Sequence, residues 1–171
     1  KNEIIILRTL KKYCLEKKLK FYICSKVERS DQRGINMYSK ILGNEGWYYS
    51  PRDQFESSYE RIAKSEFVVF ADSTLGYEAL SRGKKTAAFP IGSRNPEWCK
   101  KNAYHLVIPF GYPADFPDTG PFWSNIYKKD KINSILDYIT TVGDHDWDKM
   151  LKKHQIDKVM IFDEGNKKLL N

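Results

Sequence analysis

The segment from Phe67 to Pro90 restricts the fold of this chain more than any other part of the sequence. Its first four residues, Phe67 to Phe70, form an apolar run of the kind found in buried strands of parallel sheets. Small polar residues follow, and Gly83 ends a helical stretch. Thr86 to Phe89 is a second strand-like run. The segment therefore predicts a strand, a helix and another strand, the repeating unit of an α/β protein.

The polar turn between the first strand and the helix is a candidate anion site. Asp, Ser and Thr favour helix N-caps, and the N–H groups at the start of a helix suit a phosphate. Glu78 shares a helix face with Thr74, so its carboxylate can accept hydrogen bonds from a sugar. The alternative is a plain N-cap beside a solvated Glu78. The predicted nucleotide- and phosphate-binding residues in this segment are Asp72, Ser73, Thr74, Leu75, Gly76 and Glu78.

The size of the chain fits one folded domain. Its 171 residues include 11 Tyr, 9 Phe and 4 Trp, so we expect a single domain over residues 1–171 that ends in helices. No apolar run reaches the roughly 20 residues that span a bilayer. The first residues lack a signal-peptide pattern, so we expect a soluble, cytoplasmic protein. Cys14, Cys24 and Cys99 follow no metal or disulfide spacing, which predicts buried thiols.

The charge of the chain favours anionic partners. It has 29 Lys and Arg against 22 Asp and Glu, a formal charge of +7. Nucleotides, acidic glycans and membrane surfaces all fit this excess. The lysines occur as scattered pairs on predicted helices, and no nucleic-acid-binding motif is present, so nucleic acid is not a predicted partner. No metal is predicted either, because Asp144, Asp146 and Asp148 fit the acidic first turn of a helix.

Short apolar runs alternate with helical patterns along the chain. Helices are predicted over Ile4 to Leu19, Ser30 to Leu42, Asp53 to Lys64, Lys131 to Val142, His145 to His154 and Asp157 to Asn171. Strands are predicted over Phe21 to Cys24, Trp47 to Tyr49, Phe67 to Phe70, Thr86 to Phe89 and His105 to Ile108. The alternation predicts a doubly wound, Rossmann-like parallel sheet of about five or six strands flanked by helices. Only the section Phe110 to Tyr127 interrupts it, either as a packed surface loop or as a segment that closes over a ligand.

Residues that follow the predicted strands extend the candidate site. Ligands of open parallel sheets bind outside the carboxyl ends of the strands. Arg can bind a phosphate through its fork of donors, and Lys can do so as a point charge. Taken singly, each such cation can equally be an ordinary exposed charge. The added candidates are Ser25, Lys26, Arg52 and Arg94.

Other common chemistries lack their motifs. No G-x-G-x-x-G follows a strand, no Walker sequence is present, and no G-x-S-x-G elbow surrounds a serine. His105 is expected in a strand, and His145 and His154 on surface helices. The identity of any catalytic residue is therefore unknown from these motifs.

The run ADSTLGYEALSRGKKTAAFP, residues 71–90, resembles the nucleotide-sugar-binding segment of GT-B glycosyltransferases. The resemblance is closest to bacterial surface-carbohydrate and capsule biosynthesis proteins with a D-S-T-L-G-Y-E-A-L-x-R-G-K-K motif. The run is also similar to the S-G-x-x-T-x-x-E segment of the N-acetylglucosaminyltransferase that makes peptidoglycan precursor, with Thr74 and Glu78 in related places. The elements F-G-x-P at Phe110 to Pro113 and G-P-F-W at Gly120 to Trp123 resemble the same surface-carbohydrate group. The close motif covers roughly one-seventh of the chain.

The resemblance implies the C-terminal, donor-binding half of a GT-B fold. In such enzymes the hydroxyl residues and the helix start hold the phosphates of a nucleotide-sugar, here CMP- or UDP-linked, and the glutamate binds its ribose. Arg94, Phe110 and Gly111 would be lid or sugar contacts, and no metal or cofactor is implied. The acceptor would be a glycan or glycolipid, and the site of action the cytoplasm or the periphery of the inner membrane. Without an acceptor domain, the chain is expected to bind donor without turnover.

Two other interpretations of the residues stay open. A sugar-nucleotide epimerase of a related two-domain fold would hold its nucleotide similarly and would need acid and base residues in its cleft. A non-enzymatic basic module would instead dock onto an acidic partner or a membrane surface. Its binding would weaken with salt and would not respond to Ser73→Ala or Glu78→Ala.

Overall fold

A computed structural model describes residues 2–28, 32–52, 58–91, 109–111 and 116–161 of the protein. In these ranges the helices are α1 (Asn2–Glu16), α2 (Gln32–Leu42), α3 (Ser58–Lys64), α4 (Thr74–Ser81), α5 (Lys129–Thr141) and α6 (Asp144–Lys153), followed by a 3-10 helix at Ile156–Lys158. The strands are β1 (Tyr22–Glu28), β2 (Tyr48–Arg52), β3 (Val68–Phe70) and β4 (Thr86–Ala88).

The chain divides into two compact units. The first contains Lys1–Ser65 and Tyr127–Asn133, and the second contains Glu66–Ile126 and Ser134–Asn171. Strands β1 and β2 belong to the first unit, and β3 and β4 belong to the second. The expectation of one domain over residues 1–171 stays a prediction.

The predicted doubly wound sheet of about five or six strands is wrong. The described strands form two separate sheets of two parallel strands each, β1 with β2 and β3 with β4. Most of the regular structure is helical. The resemblance implied the Rossmann-like half of a GT-B fold, and that prediction is wrong for the same reason. The expected strand from His105 to Ile108 lies outside the described residues.

The error arises because apolar runs identify strands but not the partners of those strands. Strands β3 and β4 have only 3 residues each. The far side of β4 is occupied by an irregular segment, since Ala88 N–H donates to the Phe122 carbonyl at 2.9 Å and Ser124 N–H donates to the Ala88 carbonyl at 3.0 Å. This segment takes the hydrogen-bonding positions that a further strand would need.

Strand β2 also extends beyond its predicted end. The strand was predicted to end at Tyr49, but β2 continues to Arg52. A proline is tolerated in an edge strand because its missing N–H then breaks no ladder bond. In the described part of the chain, β2 pairs with β1 alone.

Helix α1 confirms the predicted N-terminal helix and supplies one face of apolar side chains to the first unit. Its buried residues are Ile6, Thr9, Leu10, Tyr13 and Cys14. Two long side chains fix α1 to the end of α2: Arg8 Nε donates to the Ile41 carbonyl at 3.1 Å, and the Lys11 ammonium donates to the Leu42 carbonyl. The spacing of the buried residues is that of an amphipathic helix.

The expectation of buried thiols holds for one described cysteine and fails for the other. Cys14 is buried, and burial raises the pKa of its thiol to about 11. Cys24 is exposed. Cys99 lies outside the described residues.

Aromatic side chains form the core of the second unit. The Phe110 ring stacks on Trp123 with ring centroids 4.8 Å apart, and Phe122 meets Trp147 edge to face at 5.1 Å. None of these four side chains is more than 1% exposed. Such pairs contribute about 0.5–1.5 kcal/mol each beyond the burial of their area. Within the section Phe110 to Tyr127, the residues Phe110, Phe122 and Trp123 are thus packed into the core.

The C-terminal helices α5 and α6 are confirmed close to their predicted bounds. The Trp147 indole of α6 donates to the Gly83 carbonyl at 2.9 Å. Gly83 follows α4 with a positive φ of 79°, as expected for a glycine that ends a helix. Nearby, Lys85 Nζ lies 2.8 Å from Asp144 Oδ1, and this hydrogen-bonded cation lowers the pKa of Asp144. These contacts fix α6 to the turn between α4 and β4.

Candidate functional site

The predicted anion site lies in the second unit, where β3 leads into α4. We call residues Asp72, Ser73 and Thr74 the polar corner. Ser73 occupies the N-cap position with an extended backbone, φ −95° and ψ 127°, and its hydroxyl makes no capping hydrogen bond. All three side chains are exposed. The corner is therefore accessible to a ligand.

The polar corner combines three groups that respond differently to an anion. The N–H groups of the first helical turn and the positive end of α4 attract negative charge. The hydroxyls of Ser73 and Thr74 can donate to phosphate oxygens. The carboxylate of Asp72 repels a phosphate, so its side chain works against the other two groups.

Gly76 is buried in the first turn of α4, directly under the ring of Phe70. A Cβ at Gly76 would lie 2.0 Å from Cγ of Phe70, so no larger residue fits without a shift of the ring or the helix. The Gly76 N–H donates to the Ser73 carbonyl at 3.0 Å. This glycine therefore lets α4 approach β3 closely and holds the first turn beside the polar corner.

Tyr77 is the residue of this site that the sequence prediction missed. Its ring meets Phe70 edge to face at 4.8 Å and stacks on Phe110 at 5.8 Å. Its hydroxyl oxygen accepts a hydrogen bond from the Gly111 N–H at 3.2 Å. Burial raises the pKa of Tyr77, the Gly111 hydrogen bond opposes this, and the nearby Asp72 carboxylate adds to it. Tyr77 is thus a neutral phenol whose O–H remains a donor next to the corner.

The only sequence signal for Tyr77 was its position between Gly76 and Glu78 in the motif. Aromatic residues on a helix are usually core residues, and the ring of Tyr77 does pack against the core residues Phe70 and Phe110. Its contact with the backbone of Gly111 joins positions that are 34 residues apart. No local pattern in a single sequence reveals such a pair.

Leu75 and Glu78 lie on α4 and are both half-buried. Glu78 follows Thr74 by one helical turn, as the spacing predicts. Its backbone carbonyl accepts hydrogen bonds from the Ser81 hydroxyl at 2.9 Å and from the Arg82 N–H at 3.2 Å, which closes the end of the helix. Binding of a ribose by the Glu78 carboxylate stays a prediction.

Phe110 and Gly111, predicted as lid or sugar contacts, both lie in the core of the second unit. Phe110 is 0% exposed, and its N–H donates to Asn125 Oδ1 at 3.3 Å. Gly111 has a positive φ of 80°, and a Cβ there would lie 2.3 Å from the Phe116 ring. The structure brings both residues together with Tyr77. Their contact with a ligand stays a prediction.

The remaining candidates lie elsewhere or outside the described structure. Ser25 and Lys26 belong to β1, and Arg52 is the last residue of β2, all in the first unit. Their side chains lie outside the described part of the structure, and Arg94 lies outside it entirely. The grouping of these four residues with the polar corner stays a prediction.

His154, expected on a helix surface, is half-buried against the aromatic core. It follows α6 as its C-cap residue. Its ring meets Trp123 edge to face at 5.0 Å. Burial lowers the pKa of the imidazole, and the positive charge of Lys153 lowers it further. His154 therefore serves the packing of the second unit as a neutral ring.

In the described ranges, no three side chains of His, Cys, Asp or Glu are placed so that they could hold a metal ion. No helix in the same ranges combines the length and the apolar character that crossing a bilayer requires.

The described elements define a helix-rich protein with two small parallel sheets and an exposed polar corner at the start of a helix. A family model described as "putative O-antigen biosynthesis protein" matches residues 1–171, and the chain belongs to that family. Neither the curated proteins nor the solved structures gave a match. The family confirms the surface-carbohydrate part of the sequence prediction, and the glycosyltransferase part stays a prediction.

Proposed function

We propose that this chain is the nucleotide-sugar-binding part of a glycosyltransferase of O-antigen biosynthesis, and that the polar corner binds the donor phosphates. Membership of the O-antigen family supports the pathway. The observation that carries the site is the exposed start of α4, where the Ser73 hydroxyl makes no capping bond. Phosphate binding requires a helix start and not a particular sheet, so the proposal does not depend on a doubly wound fold.

Each residue of the polar corner, together with Tyr77 and Glu78 of α4, has a defined part in this proposal. The hydroxyls and backbone N–H groups of Ser73 and Thr74 donate to the phosphate oxygens. The Glu78 carboxylate accepts hydrogen bonds from the ribose hydroxyls. Asp72 contributes through its backbone, because its carboxylate repels the phosphates. The neutral Tyr77 fixes the corner against the core.

The reaction is transfer of the sugar from a UDP- or CMP-linked donor to a hydroxyl of a glycan or glycolipid acceptor. The bond between the anomeric carbon and the phosphate oxygen breaks, a bond to the acceptor oxygen forms, and the acceptor proton goes to a base. The corner lowers the barrier by orienting the donor and by stabilising the departing phosphate. The proposed place is the cytoplasm or the periphery of the inner membrane, where the charge of +7 favours an anionic surface.

Calorimetric titration with UDP, CMP and their sugar conjugates tests this function. We expect one nucleotide series to bind, and Ser73→Ala to weaken it about tenfold, because a hydrogen bond to a charged group is lost. Ser81→Ala is the matched control, since Ser81 lies on the same helix with its hydroxyl bonded to the Glu78 carbonyl at 2.9 Å. Absence of binding to every nucleotide, or equal effects of the two variants, would contradict the proposal.

A further inference from the structure

A stacked group of side chains lies on one face of the β1–β2 sheet in the first unit. We call Tyr22, Tyr48 and Arg61 the aromatic platform. Tyr22 and Tyr48 are register partners in the parallel pair, and their rings stack with centroids 5.0 Å apart and planes 25° apart. The Arg61 guanidinium of α3 lies over the Tyr22 ring, 4.5 Å from its centroid. The sheet register and the cation thus hold the rings in place.

The platform is exposed at its Tyr48 end. Side chains alternate between the two faces of a strand, so the next register pair, Ile23 and Tyr49, points to the opposite face. Ile23 is only 7% exposed, whereas Tyr48 is 51% exposed. In the described ranges β2 has β1 as its one strand neighbour, so Tyr48 stands beside an open sheet edge. A large ordered ring is therefore presented to solvent.

We infer that the aromatic platform binds a sugar ring of the glycan acceptor by stacking it on Tyr48. The faces of a tyrosine ring carry a partial negative charge, and the C–H groups on one face of a pyranose carry a partial positive charge, so the two surfaces attract each other. The platform offers a flat, preformed surface that loses little conformational entropy on binding. Arg61 and the overall charge of +7 also suit glycans that carry acidic groups.

A sugar is the occupant that the observations favour. The chain belongs to a family described as "putative O-antigen biosynthesis protein", and an O-antigen is a carbohydrate, which favours a sugar. An exposed ring beside a cation can also stack a nucleobase, which makes nucleobase binding the main competitor. The inference rests on the proposed function in taking a glycan as acceptor. It uses only residues of the first unit, whereas the donor proposal uses residues 72–78 of the second.

Saturation-transfer difference NMR on the full chain tests the platform. The probes are the methyl glycosides of glucose, galactose, rhamnose and N-acetylglucosamine, none of which contains a phosphate. We expect at least one to bind, with an affinity that falls about three- to tenfold in Tyr48→Ala and is kept in Tyr48→Phe. Tyr59→Ala is the control, because Tyr59 is similarly exposed at 47% and lies on α3 of the same unit.

A second measurement needs no variant. When a glycoside binds the wild-type chain, the sugar protons that face the ring should shift upfield, and the ring resonances of carbon-13-labelled tyrosine should move. UMP and CMP are measured in the same way as comparison ligands. The inference is overturned if no glycoside binds, if Tyr59→Ala weakens binding as much as Tyr48→Ala, or if the binding of UMP and CMP depends on Tyr48 and that of the glycosides does not. Because the glycosides lack phosphate, their failure to bind leaves the nucleotide titration unaffected, and failure of that titration leaves the glycoside result unaffected.

Discussion

The backbone N–H of Gly111 donates a hydrogen bond to the phenolic oxygen of Tyr77 at 3.2 Å and so connects α4 to a segment 34 residues further along the chain. Gly111 is buried, so its N–H cannot turn to water if this acceptor is removed. This hydrogen bond therefore holds Tyr77 of the candidate site to Gly111 in the aromatic core.

Tyr77→Phe should destabilise the protein by about 1–3 kcal/mol, because it leaves the buried Gly111 N–H without its acceptor. Urea unfolding followed by circular dichroism measures the change. Tyr138→Phe is the control, since Tyr138 also contacts a core aromatic, Trp147, at 6.5 Å. An unchanged free energy of unfolding in Tyr77→Phe would show that the hydrogen bond does not contribute to stability.

Gly76→Ala should destabilise the protein by roughly 1–3 kcal/mol or more through overpacking. The added Cβ would lie 2.0 Å from Cγ of Phe70, which neither ring nor helix can accept without moving. Gly143→Ala is a control, because no atom lies within 4 Å of a Cβ built there. Phe70→Leu combined with Gly76→Ala should recover part of the loss. If Gly76→Ala unfolds at the wild-type urea concentration, the close packing of α4 on β3 is disproved.

A pair of substitutions at Thr74 separates the backbone from the hydroxyl in nucleotide binding. Thr74→Pro removes both the N–H and the hydroxyl, and it suits the first position of a helix after Ser73, whose extended backbone is what a residue before proline prefers. Thr74→Val removes the hydroxyl alone. Calorimetric titration should show a larger loss of affinity for Thr74→Pro than for Thr74→Val. Equal affinities in the two variants would exclude the Thr74 N–H as a phosphate ligand.

His154 makes the stability of the second unit depend on pH. Its pKa is lowered from 6.5 by burial and by Lys153, so the unfolded chain takes up the proton first as the pH falls. The free energy of unfolding should therefore be highest above pH 6.5 and should decline below it. Urea unfolding between pH 5 and pH 8, with proton NMR of the imidazole, measures this. In His154→Phe, the free energy of unfolding should decrease less below pH 6.5 than in the wild type. An equal decrease in the variant and the wild type would rule out His154 as the cause.

Local patterns predicted the elements of this chain better than their assembly. The apolar spacing of Ile4, Leu7, Leu10, Cys14 and Leu15 favoured a helix over a strand, which α1 confirms, and Gly83 marked the end of α4 as expected. These features depend on residues within a turn or two of one another. The sheet could not be predicted in the same way, because the partner of β4 on its far side is residues 122–124, which carry no strand pattern.

In the candidate site, too, local features were predicted and contacts between distant residues were not. The exposed polar corner and its place at a helix start followed from the residue types of Ser73 and Thr74. The roles of Gly76 and Tyr77 did not, since they depend on Phe70 and Gly111, which lie outside the motif turn. Phe110 was expected at a ligand, and the structure places its ring in the core.

The irregular segment against β4 has a consequence for association between molecules. An unpaired strand edge is a template on which another chain can add a strand, and such edges promote aggregation. Ala88 has both its N–H and its carbonyl bonded to residues 122 and 124, so β4 offers no template at that position. If this segment loosened, the backbone groups of Ala88 would be unpaired, and a strand of a second molecule could then bind to them.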